Sequence, residues 1–224
     1  QRRGGRGVTG MTTREEDFVE SVFSASTHDY LLFFTNRGRV HRRKGYQIPE
    51  AGRTAKGTNI VNILPLEAGE RVTAGITVHD FDEDYLMLVT KNATVKRLEL
   101  SALYTARKAG IRALTIAEDD ELIAVLKTSG ENNIILATAG GMAICFCETD
   151  VRVMGRDAAG VRGMALSGGD YIVGAGIAEP GKELLTVTQN GYGKRTALEE
   201  YLRGDDAGEK RAQSRGGKGL KNYN

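Results

Sequence analysis

Tryptophan is absent from the 224 residues, proline occurs 3 times, histidine 3 times and cysteine twice. Each scarcity excludes something. Two cysteines cannot build a disulfide scaffold, and Cys145 and Cys147, two apart in CFC, point to one face of a strand, a poor geometry for bridging. The expectation is two reduced, buried thiols in a reducing compartment. His28, His41 and His79 are scattered, and none lies beside a cysteine or an acid at ligand spacing, so no metal centre is expected. No apolar run nears the length that crosses a bilayer. No secretory leader is visible either, although the abrupt start at Gln1 reads as a fragment.

Charge of one sign is lacking too. Lys and Arg total 31 against 29 Asp and Glu, a net charge of +2. That total alone implies no partner; the distribution implies more. Between Arg37 and Lys56, seven basic residues stand against one acid, Glu50. Residues 80–84 hold four acids and no base, and residues 118–121 are all acidic. These acid clusters lack the ligand pattern of a calcium loop and read as solvated turns, oriented away from a polyanion. Segregated charge lets a near-neutral chain carry a strongly basic surface.

Glycine is plentiful, at 29 residues, and much of it falls in a repeat. Three landmarks recur in the same order. An Arg-containing junction ends at Gly7 (RRGGRG), Gly57 (RTAKG), Gly110 (ARKAG), Gly160 (RDAAG) and Gly219 (SRGGKG), with spacings of 50 to 59 residues. An acid opens an apolar stretch at Asp17, Glu70, Glu121 and Asp170. A hydrophobic run closes on Thr35, Thr90, Thr138 and Thr188, each followed by a turn. The expected units are 7–56, 57–109, 110–159 and 160–218, with a fifth starting at 219.

Within a unit the apolar runs are short and β-rich. YLLFFT and RVHRR flank a turn at 36–38 and read as a hairpin. FVESVF precedes them, and VNIL, ALTI and MALS follow the junction glycines, giving four strands per unit. TTRE at 12–15 could open a helix, but its counterparts VTAGITV and YIVGAGI are poor helix sequences. Four strands in about fifty residues match a propeller blade, so the fold class is all-β and propeller-like.

Catalytic motifs are wanting. GYGKRT at 191–196 lacks P-loop spacing, and GAGIAEPG at 174–181 falls inside a repeat strand. The basic elements are more specific. Glycine lets the backbone approach a ligand, and arginine forks onto phosphate oxygens. QRRGGRG, residues 1–7, combines three arginines with three glycines. Its echo QSRGGKG occupies 213–219. A second basic group follows the hairpin turns: Arg42, Arg43 and Lys44; Lys96 and Arg97; Lys194 and Arg195, the third unit departing with Cys145 and Phe146. Repeated around a radial fold, two basic groups per unit make a curved cationic belt, suited to a bent duplex. No basic helix is visible for major-groove reading and no aromatic run for single strands. Phosphate contacts are expected, with sequence preference limited to bendability.

QRRGGRG resembles the signature box of the C-terminal domain of the DNA gyrase A protein, and the fifty-residue units with degenerate junctions resemble that domain over the whole chain. The resemblance implies a β-pinwheel of four-stranded antiparallel blades with strands exchanged between neighbours. The family has six blades; four full units and the start of a fifth are visible here, so parts of the disc are expected beyond both ends. It also implies wrapping of duplex DNA around a basic rim with positive handedness, enabling gyrase to introduce negative supercoils with ATP. The box carries over to Gln1, Arg2, Arg3, Gly4, Gly5, Arg6 and Gly7. Rim contacts are expected at Arg37, Arg39, Arg42, Arg43, Lys44, Arg53, Lys56, Lys96, Arg97, Arg107, Lys108, Arg156, Arg162, Lys194, Arg195, Arg215 and Lys218.

The family's nucleophilic tyrosine follows an arginine, and none of the 8 tyrosines here does, so the domain itself is expected to be non-catalytic. It is expected to need no cofactor, ATP and Mg belonging to the rest of the enzyme. Expected partners are double-stranded DNA, largely independent of sequence, the remainder of the gyrase A protein, and the gyrase B protein in an A2B2 assembly; no membrane is expected. The isolated domain is expected to be monomeric, cytoplasmic and nucleoid-associated. Alternatives are the matching domain of topoisomerase IV, whose box is degenerate or missing, and a propeller-like protein-interaction module, which would have a neutral rim.

Overall fold

The computed structural model describes residue 19 and residues 21–81, 84–105, 109–204 and 209–223. Among these, β-structure dominates and no α-helix occurs. The longer strands are β1 (Tyr30–Thr35), β2 (Arg39–Lys44), β3 (Val72–Val78), β4 (Tyr85–Thr90) and β5 (Thr94–Glu99). They continue, with short β6 (Ile111–Arg112) between, as β7 (Leu122–Thr128), β8 (Asn133–Thr138) and β9 (Met142–Cys147). Then follow β10 (Val161–Arg162), β11 (Ile172–Ile177), β12 (Glu183–Val187), β13 (Gly193–Ala197), β14 (Arg203–Gly204), β15 (Lys210–Arg211) and β16 (Leu220–Lys221).

Each recurring threonine builds its hairpin turn. The hydroxyls of Thr35, Thr90, Thr138 and Thr188 accept from the backbone N–H of Arg39, Thr94, Met142 and Tyr192, at 3.0 to 3.3 Å. The loop's last residue is left-handed, as a three-residue hairpin requires. Gly38, Gly141 and Gly191 supply it at φ of 73°, 80° and 82°, and Ala93 at 65°. Ala93 accepts the steric penalty because its methyl is buried in the core.

The sheets cross the boundaries between units. Their orders are β3-β1-β2-β6, β7-β4-β5-β10 and β11-β8-β9-β16, antiparallel throughout. A hairpin from one unit gains an inner strand from the next and a two-residue outer strand from the unit after that. Among the described residues the β12–β13 hairpin pairs only with itself, and β14–β15 is a separate small ribbon. The fourth strand differs from the sequence expectation. It lies directly after the junction glycine, at Ile111–Arg112, Val161–Arg162 and Leu220–Lys221, rather than in ALTI or MALS. The first half of VNIL lies in a 3₁₀ turn at Ile60–Asn62. FVESVF forms no strand among its described residues. Phe23 instead lays its ring over Gly75, where a Cβ would meet it at 3.2 Å.

Alternation along the central strands fills both faces. Leu32 and Phe34 meet Leu86 and Leu88 between the first two sheets. Met87 and Val89 meet Ile134 and Leu136 between the second and third. Ile135 and Cys145 meet Leu198 and Tyr201 beyond the third. Burial pushes the Cys145 thiol up to about 11. Inner strand β7 lies against both β3 and β11, so the inner strands adjoin one another.

Candidate nucleic-acid interface

The recurring acids complete the turns of the preceding hairpins. Glu70 Oε1 accepts from the Thr35 hydroxyl at 2.7 Å, and its other oxygen from the Glu67 N–H at 2.9 Å. Burial acts to raise the Glu70 pKa, but those bonds and the nearby Arg39 hold it below the usual value. In the next unit Asp120, rather than Glu121, accepts from the Asn92 N–H at 2.9 Å. Glu121 pairs with Arg71 and Lys91 instead. Asp170 accepts from the Gly140 N–H at 2.8 Å. Solvated turns therefore describe Asp120 and Glu121 poorly, because each is an inter-unit fastening.

The same fastening occurs where junctions meet hairpins. The left-handed residues Gly38, Ala93 and Gly141 accept at their carbonyls from Ala113, Gly163 and Asn222, at 2.7 to 2.8 Å. The short outer strand is thereby held in one register each time. Val40, Val95 and Ala143 face Ile111, Val161 and Leu220. The next residue outward is Arg112, Arg162 or Lys221, opposite Arg39, Thr94 or Met142. All three of these cations are exposed. Sequence reasoning found only Arg162. The signal available was the triplet after the junction: Gly110-Ile-Arg, Gly160-Val-Arg and Gly219-Leu-Lys.

Two junctions line concavities. One, of about 470 Å³, is lined by Asn92, Thr94, Gly160, Arg162 and Met164. The other, of about 520 Å³, is floored by residues 213–219 and walled by Arg203 and Arg211. In it Arg215 donates to the carbonyls of Asp150 (3.2 Å) and Arg162 (2.6 Å), while Gly216 N–H donates to Gly163 O at 2.8 Å. Gln213 is buried and donates to Tyr201 O, anchoring the loop. Lys218 is exposed at the rim. Arg203 and Arg211 escaped sequence reasoning because their ribbon is an insertion without counterpart in the other units.

Other expected rim residues fall into distinct settings. The box, Gln1 to Gly7, and Arg107 and Lys108 lie outside the described residues. Arg37 and Arg39 pair with Glu67 at 3.2 and 2.6 Å, and Arg39 also donates to Ala109 O. Arg42 stacks between the rings of Tyr30 and Tyr104, 5.0 and 5.1 Å from their centroids, and donates to Tyr104 O. Lys44 sits 3.3 Å over Tyr30 and donates to His28 O. Arg53, Lys56 and Lys194 are exposed and Arg156 is half-buried. Arg195 is exposed and pairs with Glu183 at 3.2 Å.

Three expected rim cations are not on the surface. Arg43 is 5% exposed and donates to the Ile63 and Arg42 carbonyls; burial lowers its pKa. Arg97 is 8% exposed, pairs with the fully buried Glu148 at 3.3 Å and lies 4.3 Å over the Tyr85 ring. Lys96 is 0% exposed and donates to three carbonyls. Turns and junctions from elsewhere in the chain supply the partners at these positions, so the three act as internal fastenings and cannot meet phosphate in this arrangement.

Strand-exchanged four-stranded sheets joined by basic glycine junctions define a propeller-type repeat protein. Comparison with known proteins makes this specific: the model of the DNA gyrase C-terminal domain, beta-propeller, matches residues 1–26, 29–79, 84–129, 132–179 and 182–203, and the chain belongs to that family. The DNA gyrase A protein of Staphylococcus epidermidis is 47% identical over 225 residues, covering 99% of this chain and 24% of that protein. Its counterpart in Lawsonia intracellularis is 45% identical over 227 residues, covering 100% and 27%. The chain thus spans about a quarter of the curated relatives it matches. Among solved structures, a C-terminal domain of DNA topoisomerase IV aligns with TM-score 0.76 and 32% identity, over 87% of this chain and 58% of the other. A DNA gyrase A C-terminal domain aligns with TM-score 0.65 and 25% identity, over 92% and 75%. The β-pinwheel expected from the resemblance is therefore the fold.

Proposed function

We propose that this chain binds and wraps duplex DNA around its junction rim with positive handedness, as the wrapping domain of a gyrase that introduces negative supercoils with ATP. The observation that carries the reading is the register-matched row Arg112, Arg162 and Lys221, one exposed cation per outer strand. Cations at one site per blade track a curved phosphate backbone. Arg53, Lys56, Lys194, Lys218, Arg203 and Arg211 are further exposed cations, and the box at residues 1–7 lies outside the described residues. Smoothly bending 20–30 base pairs costs on the order of 1–6 kcal/mol, which many charge-assisted contacts must offset. Chemistry, ATP and Mg belong to the rest of the enzyme: the remainder of the gyrase A protein and the gyrase B protein in an A2B2 assembly. Double-stranded DNA is the partner of this domain, in the cytoplasm at the nucleoid.

A second reading, the matching domain of topoisomerase IV, is favoured by the structural alignment at TM-score 0.76. The intact QRRGGRG at 1–7 and relatives named as gyrase A proteins favour gyrase. One assay separates the two. The chain is mixed with nicked circular DNA, the nick is sealed, and the topoisomers are resolved. A positive linking-number shift that grows with protein is expected. Replacing Arg112, Arg162 and Lys221 with Ala should lower the slope of log affinity against log salt by about 3, roughly one per phosphate contact. Binding with no linking-number shift would sink the wrapping claim, and a slope unchanged by the triple substitution would sink the assigned row.

A further inference from the structure

His41, Lys96 and Ile144 occupy the same place, the third residue of the second hairpin strand, and all three are 0% exposed. Each backs onto a junction. A Cβ on Gly110 would meet His41 Cε1 at 2.6 Å, and one on Gly217 would lie 3.8 Å from Ile144 Cδ1. Behind the RDAAG junction stands Lys96. Its Nζ donates to Arg156 O at 2.6 Å and Ala158 O at 2.9 Å, both inside that junction. Its third bond, 2.7 Å, goes to Ala113 O, immediately after β6. Three acceptors satisfy the three protons of an ammonium. An ammonium is costly to bury unless it is so compensated. Burial pushes the Lys96 pKa down to about 8, and the neighbouring Asp157 opposes that shift.

The three carbonyls come from the two ends of one unit, 110–159, and adjoin short strands that join two different sheets. Arg156 and Ala158 precede β10, which presents Arg162; Ala113 follows β6, which presents Arg112. Thr115 adds a lateral tie, its hydroxyl donating to Asp157 O at 3.0 Å. Blade three holds its junction by another device. Ile144 makes no polar contact there, and Arg215 reaches across to Asp150 O and Arg162 O instead.

We propose that Lys96 is a positioning residue for DNA wrapping: its ammonium clamps the RDAAG junction to the strand end at Ala113 and so sets Arg156 and Arg162 relative to Arg112. This rests on the wrapping reading above. A lysine that its pattern would place on phosphate acts from behind the rim, through backbone carbonyls that adjoin the short strands carrying the exposed Arg112 and Arg162.

The test is a double-mutant cycle in the full chain, using Lys96→Met, Arg156→Ala and the pair. All assays run well below each variant's melting transition. Arg156→Ala in the unaltered chain should reduce the slope of log affinity against log salt by about 1. In the Lys96→Met background Arg156→Ala should leave that slope unchanged, and amides 155–160 should exchange faster with deuterium. Equal slope losses in both backgrounds would leave Lys96 with a purely structural role and overturn the inference, while the wrapping reading stood. An unaltered chain with no salt-dependent DNA binding would instead remove the wrapping reading, and the inference with it. If Lys96→Met does not fold, Lys96→Ala is assayed with butylamine, which restores an ammonium to the cage. Recovery of the linking-number shift supports the clamp; recovery of melting temperature without the shift overturns it.

Discussion

The second and fourth hairpins carry the same Lys-Arg pair at the same place, Lys96-Arg97 and Lys194-Arg195, with opposite fates. Lys96 and Arg97 are buried; Arg195 keeps 73% of its side chain exposed, and Lys194 is also outside. Strand β5 is flanked by β4 and β10, with the Met154 segment and the third sheet behind it. Among the described residues strand β13 has β12 alone. The Lys-Arg pair at this place in the hairpin is therefore internal in the four-stranded sheet and external in the two-stranded one. Where neighbours close over it, carbonyls and Glu148 replace water as its partners.

The comparison can be broken most directly at the arginines. Arg97→Ala leaves Glu148 buried without its cation and should cost about 3–5 kcal/mol, read from the denaturant midpoint. Arg195→Ala should stay within about 0.5 kcal/mol. Similar losses at both sites would mean that burial does not distinguish the two hairpins.

A smaller effect concerns how a following unit finishes a hairpin. Burial tends to raise the Asp170 pKa, but bonds from the Thr138 hydroxyl and the Gly140 and Tyr171 N–H groups hold it below the ordinary 3.8. Asp170→Ala should cost about 1 kcal/mol and speed amide exchange in the third hairpin towards that of the fourth. Because the folded value is the lower one, this carboxylate's contribution is present above the unfolded pKa. It is lost as pH falls through the folded value. Unaltered protein should therefore lose more stability than the variant on acidification; parallel acid curves would contradict that.

The smallest effect is a slope at high pH. Lys96 titrates at about 8 when folded, against 10.5 as an ordinary lysine. Between those values the unfolded chain holds more protons at this site, so its contribution makes stability rise with pH. Lys96→Met should lack that rise, with Asp157 and Arg156 unchanged in both proteins. Denaturant midpoints measured across this window, unaltered minus variant, test the sign, and a flat difference would place the folded pKa near its ordinary value.

Much of the architecture was legible in sequence because it rests on local chemistry. The hairpins are marked by a threonine, a turn and a glycine, and the threonine hydroxyl closes the turn within five residues. The outer strands were misplaced because two residues carry no periodicity; Ile111–Arg112 and Val161–Arg162 are strands only through pairing with β2 and β5. FVESVF has strand composition but no such partner in the described structure. The rim was legible as basic junctions, and its membership was not. Arg43, Lys96 and Arg97 look like Arg42 and Lys44 in sequence, while Arg112 and Lys221 stand as single charges and attracted no notice.

The sequence by itself determined the repeat, the hairpins, the glycine junctions and the family, since each depends on residues close along the chain. Tertiary structure alone decided which strands complete each sheet and which cations face water. Those outcomes depend on segments about forty and seventy residues apart, as with β3 and β6 against the first hairpin. An ammonium settles inward only where distant backbone carbonyls converge to replace its hydration, and that convergence leaves no local mark on the chain.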